Sequence, residues 1–316
     1  MDLPKYIDPI SLLIHSTVRI HCFSPFGKNS YGTGYIYFFR KKDGTFFPGI
    51  VTNKHVINGA TDGSFNLTLA TDDGGPDLGR HESIHIKHID KTSIYHPNPN
   101  IDLAVIPIGE ILDSAENNGK NYFYVPISEN LIPPQDFLSS LSPIEDIIMI
   151  GYPNGLWDAF HNLPIVRRGI TASHPKLNLN GNPEFLIDAA CFPGSSGSPV
   201  FLANRGAFLT SEGDVRGGTR VAFLGTLWGG PEYNTIGQVE VVNVPNDTKS
   251  IAKGKGVMNL GLVIRSAELA VLENCIGITP PRYRNSSCPC GSGKRFKSCC
   301  GRIGRGLSRW QTESSL

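Results

Sequence analysis

The apolar residues of this chain occur in short runs that alternate with polar residues and are separated by turn-forming residues. Ile84 to Ile89 alternates as a half-buried strand does. An Asp-Gly pair within Lys41–Gly44, between the apolar runs Tyr35–Phe39 and Thr45–Val51, is a strong hairpin signal. With 35 glycines and 23 prolines among 316 residues, the composition favours a turn-rich β protein over a helical bundle. The pattern predicts an all-β fold of short strands, arranged as paired barrels or a sandwich.

Other segments repeat the strand pattern, and one near the C-terminal end reads as a helix. Strands are predicted at Val18–Cys22, Leu103–Ile108, Ile147–Ile150, Ile165–Ala172, Phe185–Ala190, Val200–Leu202 and Val221–Trp228. Ser266–Leu272 has the layout of a capped helix. With 40% hydrophobic residues, the chain can bury a substantial core in one or two domains. Because no apolar run approaches the roughly 18 residues of a membrane span, no membrane partner is expected.

The segment Pro193–Pro199 carries the strongest functional signal. It contains Ser196, with Gly194 two residues before it and Gly197 directly after it. A nucleophilic serine needs a sharp turn that exposes its hydroxyl and leaves backbone N–H groups free to face an oxyanion, and glycine permits such a backbone. Taken alone, a Gly/Ser/Pro stretch fits an ordinary turn equally well.

Two earlier segments supply the partners that such a serine requires. His55 lies in the segment Thr52–Val56, which follows an apolar run, and Asp102 stands at the start of another apolar run. The chain order is therefore His, Asp, Ser, which is the order of chymotrypsin-type peptidases and differs from that of other triad folds.

From these residues the chain resembles the trypsin/HtrA-like serine peptidases. The resemblance extends beyond the triad to five ordered motifs and covers roughly residues 10–276. The motifs are Gly32–Tyr35, Gly49–Ile57, Asp188–Ala190, Gly225–Gly229 and Leu260–Ile264. It implies a chymotrypsin-like double β-barrel with a C-terminal helix, within a peptidase domain predicted to span residues 1–278.

The resemblance also implies the roles of the site residues. Ser196 is expected to be the nucleophile, His55 the general base and then acid, and Asp102 the group that orients the imidazole. The backbone N–H groups of Gly194 and Ser196 are expected to form the oxyanion hole. Asn53 and Lys54 are interpreted as serving the turn that holds His55.

Specificity is predicted from the residues that surround the nucleophile in the family. Ala190, Leu227, Trp228 and Gly229 are the candidate substrate-binding residues. Since they are apolar or small, an apolar or small side chain is expected before the scissile bond. Asp188 is interpreted as a structural carboxylate.

Ser195 marks a departure from zymogen-type trypsins. Those enzymes carry Asp just before the nucleophile, where it captures a newly cut N-terminal amine. With Ser195 in that place, no such salt bridge can form, and control is expected to come from loop ordering or partner binding.

A second module is predicted after a Pro-containing linker at residues 279–287. Within residues 288–301, Cys288, Cys290, Cys299 and Cys300 follow a Cys-x-Cys-x8-Cys-Cys pattern. Four thiolates can close a tetrahedral shell around Zn²⁺ and fold a segment too small for its own core. The pattern resembles the SEC-C zinc motif, found at the SecA C-terminus and on many bacterial proteins. The alternative is a redox-reactive or disulfide-bonded tail.

Charge is distributed unevenly between the body and the tail. Residues 279–316, which include a basic tail at 302–316, carry eight Lys and Arg against one Glu, hence +7. Since the whole chain is +1, residues 1–278 carry about −6. The tail is therefore expected to meet an anionic partner such as a protein, ribosome or nucleic acid; the alternative is a solvated basic terminus.

Two classes of function follow. The first is a serine endopeptidase whose zinc tail recruits a substrate or regulator. The alternative is a catalytically silent peptidase-fold binding protein that docks through its tail. A cytoplasmic protein is expected, because the seven cysteines are odd in number and Val56 stands where secreted relatives often carry a disulfide cysteine. The resemblance of the tail to the SEC-C motif implies a bacterial protein.

Overall fold

The computed structural model describes residues 8–24, 29–41, 44–239, 250–276 and 295. Within these residues the chain forms nineteen strands and six short α-helices. The strands are β1 (Thr17–Phe23), β2 (Ser30–Arg40), β3 (Phe46–Thr52), β4 (Asp62–Ala70), β5 (Pro76–Lys87), β6 (Ile94–Tyr95), β7 (Ala104–Pro107), β8 (Tyr122–Phe123), β9 (Ile127–Ser128), β10 (Asp146–Gly151), β11 (Ile165–Thr171), β12 (Glu184–Asp188), β13 (Pro199–Asn204), β14 (Ala207–Leu209), β15 (Val215–Gly217), β16 (Arg220–Gly229), β17 (Glu232–Val239), β18 (Ser250–Val257) and β19 (Leu260–Arg265). The helices are α1 (Pro9–Leu12), α2 (Lys54–Ile57), α3 (Ile89–Thr92), α4 (Gly109–Asn117), α5 (Gln135–Ser139) and α6 (Glu268–Cys275).

The N-terminal half is built on one nine-stranded sheet. Its strands run in the order β5-β4-β1-β2-β3-β7-β6, with β8 added to β4 and β9 added in parallel to β2. Alternate residues of the central strands point into an apolar core, in which Ile20, Ile36, Ile50 and Ile106 are buried. The alternate residues Tyr35 and Tyr37 point to the opposite face of β2, which is also buried, so this central strand has two buried faces.

The C-terminal half is a closed six-stranded barrel, ordered β10-β11-β12-β19-β16-β13. All its neighbouring strands are antiparallel. Met149, Phe185, Ile187, Leu202 and Val263 fill its interior. Closure removes the exposed sheet edges that would otherwise pair with other chains.

A shared apolar cluster joins the two halves. Tyr35 and Tyr37 of β2 pack with Phe201 and Phe223 of the closed barrel. The hydroxyl of Tyr35 forms a 2.8 Å hydrogen bond with that of Thr226, which satisfies both groups inside this cluster. These buried side chains therefore fix the position of one half of the molecule relative to the other.

The predicted all-β class is confirmed, and every predicted strand overlaps an observed one, although half of them extend one or two residues beyond it. The strand pattern at Ile84–Ile89 ends earlier than expected, because the chain leaves β5 at Lys87 and His88 takes a left-handed conformation, φ 54°, before α3. The predicted helix is displaced to Glu268–Cys275, where Leu269, Leu272 and Cys275 form its buried face. None of the helices described combines the length and apolarity that a membrane crossing requires.

Part of the predicted organisation lies outside the described residues. This applies to the linker at 279–287, to the zinc motif at 288–301 and to the basic tail at 302–316. Their boundaries, and that of the peptidase domain at 278, stay predictions.

Candidate active site

His55 and Asp102 are brought together by the pairing of two strands. Residue Thr52 at the end of β3 pairs with Ala104 at the start of β7. The chain leaves β3 into α2, which carries His55, and Asp102 comes just before β7. The imidazole Nδ1 lies 2.5 Å from Asp102 Oδ2, and the backbone N–H of His55 donates to Asp102 Oδ1 at 3.1 Å.

This contact decides which nitrogen of His55 is free to react. A carboxylate at Nδ1 holds the proton on that nitrogen, so Nε2 presents its lone pair. Half of the His55 side chain is exposed, whereas that of Asp102 is only 20% exposed. The pair therefore offers an oriented base at the protein surface.

Two neighbours of His55 tie its turn to the segment that carries Asp102. Asn53 donates from Nδ2 to the carbonyl oxygen of Asp102 at 2.7 Å. Lys54 donates from Nζ to the carbonyl oxygen of Asn98 at 2.8 Å. The prediction that these two residues serve the histidine turn is confirmed.

The turn around Ser196 uses its backbone donors selectively. Ser195 N–H donates to Phe192 O at 3.0 Å, Gly197 N–H to Leu227 O at 2.8 Å, and Ser198 N–H to Ser195 O at 3.0 Å. The N–H groups of Gly194 and Ser196 donate to no residue in the described part of the chain. These two groups are the predicted oxyanion donors.

Both glycines of this turn are required by its geometry. Gly194 has φ 86°, and a Cβ there would lie 2.6 Å from the carbonyl oxygen of Tyr152. Gly197 has φ 89°, and a Cβ there would lie 1.9 Å from the carbonyl oxygen of Thr33. Any larger residue would combine an unfavourable backbone conformation with a collision against backbone atoms.

Strand β2 connects the histidine and serine halves. The backbone N–H of Thr33 donates to the carbonyl oxygen of Ser196 at 2.9 Å. The carbonyl oxygen of Thr33 accepts from Thr52 Oγ1 at 2.7 Å, three residues before His55. No hydrogen bond joins Ser196 to His55 among the described residues. The structure thus shows the His55–Asp102 contact directly, while the part of Ser196 in a triad stays a prediction.

Ser195 is buried, with 1% of its surface exposed. Its hydroxyl has no hydrogen-bond partner in the described part of the molecule. The position that carries the zymogen carboxylate in trypsins is therefore filled here by a small side chain that contributes no ion pair.

The four candidate substrate-binding residues differ in their surroundings. Ala190 and Trp228 are half-buried, and at Gly229 an added Cβ would meet no atom within 4 Å. Leu227 is 2% exposed, and its side chain belongs to the core of the closed barrel. Ala190, Trp228 and Gly229 can present side-chain surface or open space to a substrate, whereas the Leu227 side chain packs in the barrel core. Its place in β16 turns it inward. That the four residues bind substrate stays a prediction.

Asp188 does not have the structural role that was predicted for it. Its side chain is exposed and makes no hydrogen bond or ion pair with any described residue. At the end of β12, paired with Leu260, it points away from the barrel interior. It is not a structural carboxylate. Glu184, four residues earlier, instead accepts a 2.8 Å hydrogen bond from Trp228 Nε1.

Two contacts at this site have no sequence signal of their own. Glu184 and Trp228 are far apart in the chain, and nothing in either segment predicts that they meet. Thr33 lies within the motif Gly32–Tyr35, which assigns it no role of its own, yet it contacts both halves of the site. A threonine between two glycines in a strand was the available clue.

The predicted zinc ligands cannot be located in the same way. Cys288, Cys290, Cys299 and Cys300 lie outside the described residues. Within the described ranges no cluster of three or more His, Cys, Asp or Glu side chains could hold a metal ion. Cys22, Cys191 and Cys275 are buried and form no disulfide bond among the described residues.

Comparison with solved structures returns proteases. The active form of the Rv3671c protease from M. tuberculosis shares 16% identity and a TM-score of 0.43, covering 87% of this chain and 90% of that one. Tobacco etch virus protease, complexed with product, shares 12% identity and a TM-score of 0.39, covering 72% and 73%.

Curated relatives match over a short segment only. The UPF0225 protein plu2503 of Photorhabdus laumondii is 68% identical over 25 residues, which is 8% of this chain and 16% of that protein. The UPF0225 protein Ent638_2310 of an Enterobacter strain is 64% identical over 25 residues, with the same coverage. The chain thus spans about one sixth of the length of these relatives.

Family models account for both parts of the chain. The SEC-C motif matches residues 284–302, which include the four tail cysteines. The trypsin-like peptidase domain matches residues 32–210, more than half of the chain, and includes His55, Asp102 and Ser196. The chain belongs to the trypsin-like peptidase domain family.

Proposed function

We propose that this peptidase is a serine endopeptidase with His55, Asp102 and Ser196 as its catalytic triad. The observation that carries the proposal is the selective use of backbone donors around Ser196. The N–H groups of Ser195, Gly197 and Ser198 are hydrogen-bonded, whereas those of Gly194 and Ser196 have no partner among the described residues. Two backbone donors on a partly buried turn, with no partner in the described part of the chain, fit a site that binds an oxyanion.

The proposed reaction begins with attack by Ser196 Oγ on the carbonyl carbon of the scissile peptide. Nε2 of His55 takes the hydroxyl proton, and Asp102 stabilises the imidazolium that forms. The negative oxygen of the tetrahedral intermediate accepts hydrogen bonds from Gly194 and Ser196 N–H, each such donor contributing on the order of 3 kcal/mol. His55 then protonates the leaving amine as the C–N bond breaks, which leaves an acyl group on Ser196. In the second step His55 takes a proton from water, the water oxygen attacks the acyl carbon, and Ser196 Oγ leaves with the proton that His55 returns.

The tail is proposed to recruit partners rather than to take part in catalysis. Cys288, Cys290, Cys299 and Cys300 would hold one Zn²⁺ as a complete tetrahedral thiolate set, and the ion would supply only local structure. The +7 charge of residues 279–316 favours an anionic surface on a protein, ribosome or nucleic acid. Thiolate ligands, together with three buried cysteines that form no disulfide bond among the described residues, favour a reducing compartment, so we place the activity in the cytoplasm.

An activity-based fluorophosphonate probe tests the proposal, because it reacts only with an activated serine. We expect the wild type to be labelled and Ser196→Ala to lose the label. Ser195→Ala is the matched control: it removes an adjacent buried hydroxyl that has no hydrogen-bond partner among the described residues, and labelling should persist.

The outcomes separate the two classes of function. A folded wild type that neither reacts with the probe nor cleaves a peptide library would support the silent binding protein. Labelling that survives Ser196→Ala would contradict the assignment of the nucleophile. The library also reports the side chain preferred before the scissile bond, expected to be apolar or small.

A further inference from the structure

The side chain of Thr33 reaches from the first half of the molecule into the nucleophile turn. Thr33 is fully buried in β2. Its hydroxyl donates to the carbonyl oxygen of Gly194 at 2.9 Å and accepts from the backbone N–H of Tyr152 at 3.0 Å. Within the described residues, no other side chain hydrogen-bonds to residues 192–198.

The direction of the Gly194 N–H depends on the peptide unit before Gly194, which contains this N–H, and on the unit after it. Because a peptide unit is planar and trans, its N–H points opposite to its C=O. The carbonyl oxygen of Pro193 accepts from Asn154 N–H at 2.5 Å, which turns the Gly194 N–H to the other side. The carbonyl oxygen of Gly194 accepts from Thr33 and so fixes the next unit.

Thr33 donates the hydrogen bond at Gly194 itself and contacts the loop that supplies the one at Pro193. Its hydroxyl also binds the N–H of Tyr152, and Tyr152 lies two residues before Asn154. Tyr152 in turn accepts a 3.0 Å hydrogen bond at its carbonyl oxygen from Gly155 N–H, which closes the turn around Asn154. One hydroxyl therefore connects the unit after Gly194 with the loop that fixes the unit before it.

We propose that Thr33 is a positioning residue that holds the Gly194 N–H in the orientation of an oxyanion donor. The inference rests on the proposed serine-peptidase function. The hydrogen bond from Thr33 of the nine-stranded sheet to Gly194 would order this turn, at a site where Ser195 provides no carboxylate for an ion pair. Because the donor acts on charge that develops in the transition state, a misoriented donor lowers kcat more than it raises KM.

Three variants test the role of the hydroxyl. Thr33→Val has the same shape without the hydroxyl, Thr33→Ser retains the hydroxyl without the methyl group, and Thr33→Ala removes both without added bulk. Active sites are first counted by fluorophosphonate titration, so that kcat is expressed per active site and a loss of folded protein does not count as a loss of rate. kcat and KM are then measured with a peptide ester.

Thr33→Val is expected to lower kcat on the order of 10-fold or more, below the roughly 10²–10³-fold effect of removing an oxyanion donor outright. KM should change by no more than about threefold, and Thr33→Ser should restore most of kcat. If Thr33→Val does not fold, Thr33→Ala is measured in its place, and the same loss of kcat is expected.

Other results overturn the inference. Wild-type kcat per site in the hydroxyl-free variants would do so, as would an equal loss in Thr33→Ser. An active wild type with such results leaves the serine-peptidase function intact and contradicts only the role of Thr33. A wild type that is not labelled contradicts both.

Discussion

The side-chain amide of Asn53 donates a 2.7 Å hydrogen bond to the backbone carbonyl oxygen of Asp102. Asn53 is fully buried and lies two residues before His55. The bond therefore holds the segment with the carboxylate against the turn with the imidazole, apart from the direct contact between their side chains. The geometry of the His55–Asp102 pair depends on buried backbone contacts as well as on charge.

Replacing Asn53 with Ala should weaken both stability and activity. The carbonyl oxygen of Asp102 would lose its donor, which we expect to cost about 1–3 kcal/mol of unfolding free energy. Denaturant unfolding and kcat/KM measure the two effects. Asn58→Ala, at an exposed position on the same turn, is the control and should change neither. Equal behaviour of the two variants would contradict this role of Asn53.

Ser196 and His55 should act as one unit. Each single Ala variant is expected to lower kcat by roughly 10⁴-fold or more, and the double variant should be little worse than either single one. Circular dichroism should show an unchanged fold, since Ser196 is small and lies on a turn and His55 is half exposed. Multiplicative losses would indicate that the two residues act independently.

The buried ion pair of Glu145 and Arg220 should matter far more for stability than an exposed pair beside it. Arg220 Nη2 lies 2.6 Å from Glu145 Oε2, with the side chains 12% and 4% exposed. Glu145→Ala leaves a buried guanidinium without its partner, and we expect a loss of about 3–5 kcal/mol. Asp146→Ala breaks the exposed pair with Arg168 and should cost no more than about 1 kcal/mol. Thermal unfolding of the two variants decides whether the difference holds.

His15 should make the protein less stable in mild acid. Burial lowers the pKa of His15 from 6.5 to about 4. Between these values the unfolded chain binds a proton that the folded chain does not, so the contribution is absent above about pH 6.5 and grows as the pH falls towards 4. It amounts to about 3 kcal/mol of lost stability.

Unfolding by urea at about pH 7 and about pH 4.5 measures this dependence. His15→Leu cannot be protonated, so the difference between the two conditions should be smaller in this variant than in the wild type. An identical difference in both proteins would show that burial of His15 is not its source.

The zinc tail should be separable from the peptidase. Full-length protein should carry about one Zn²⁺ per chain, measured by mass spectrometry of metal content. Truncation after Gly277 should leave hydrolysis of a small peptide ester largely intact, because none of the four cysteines takes part in acyl transfer. It should weaken association with an anionic partner, most clearly at low salt, since it removes +7 of formal charge. A zinc-free full-length protein, or a truncated one that is folded but inert, would contradict this separation.

The amino-acid sequence by itself determined the class of fold and the candidate chemistry. Short apolar runs separated by turn-forming residues favour strands over helices, whatever the remote contacts are. The glycines at 194 and 197 are local requirements as well, because a positive φ is a property of a single residue. These features could be predicted because each depends on residues close together in the chain.

Tertiary structure decided which residues meet. Strand pairing of β3 with β7 brings Asp102 to His55, and closure of the C-terminal barrel turns Leu227 inward and leaves Asp188 exposed. The contacts of Thr33 with Gly194 and Ser196 join segments more than 150 residues apart. Such contacts depend on how the nine-stranded sheet packs against the closed barrel. That packing is the sum of many weak apolar contacts, so it cannot be predicted from a local sequence pattern.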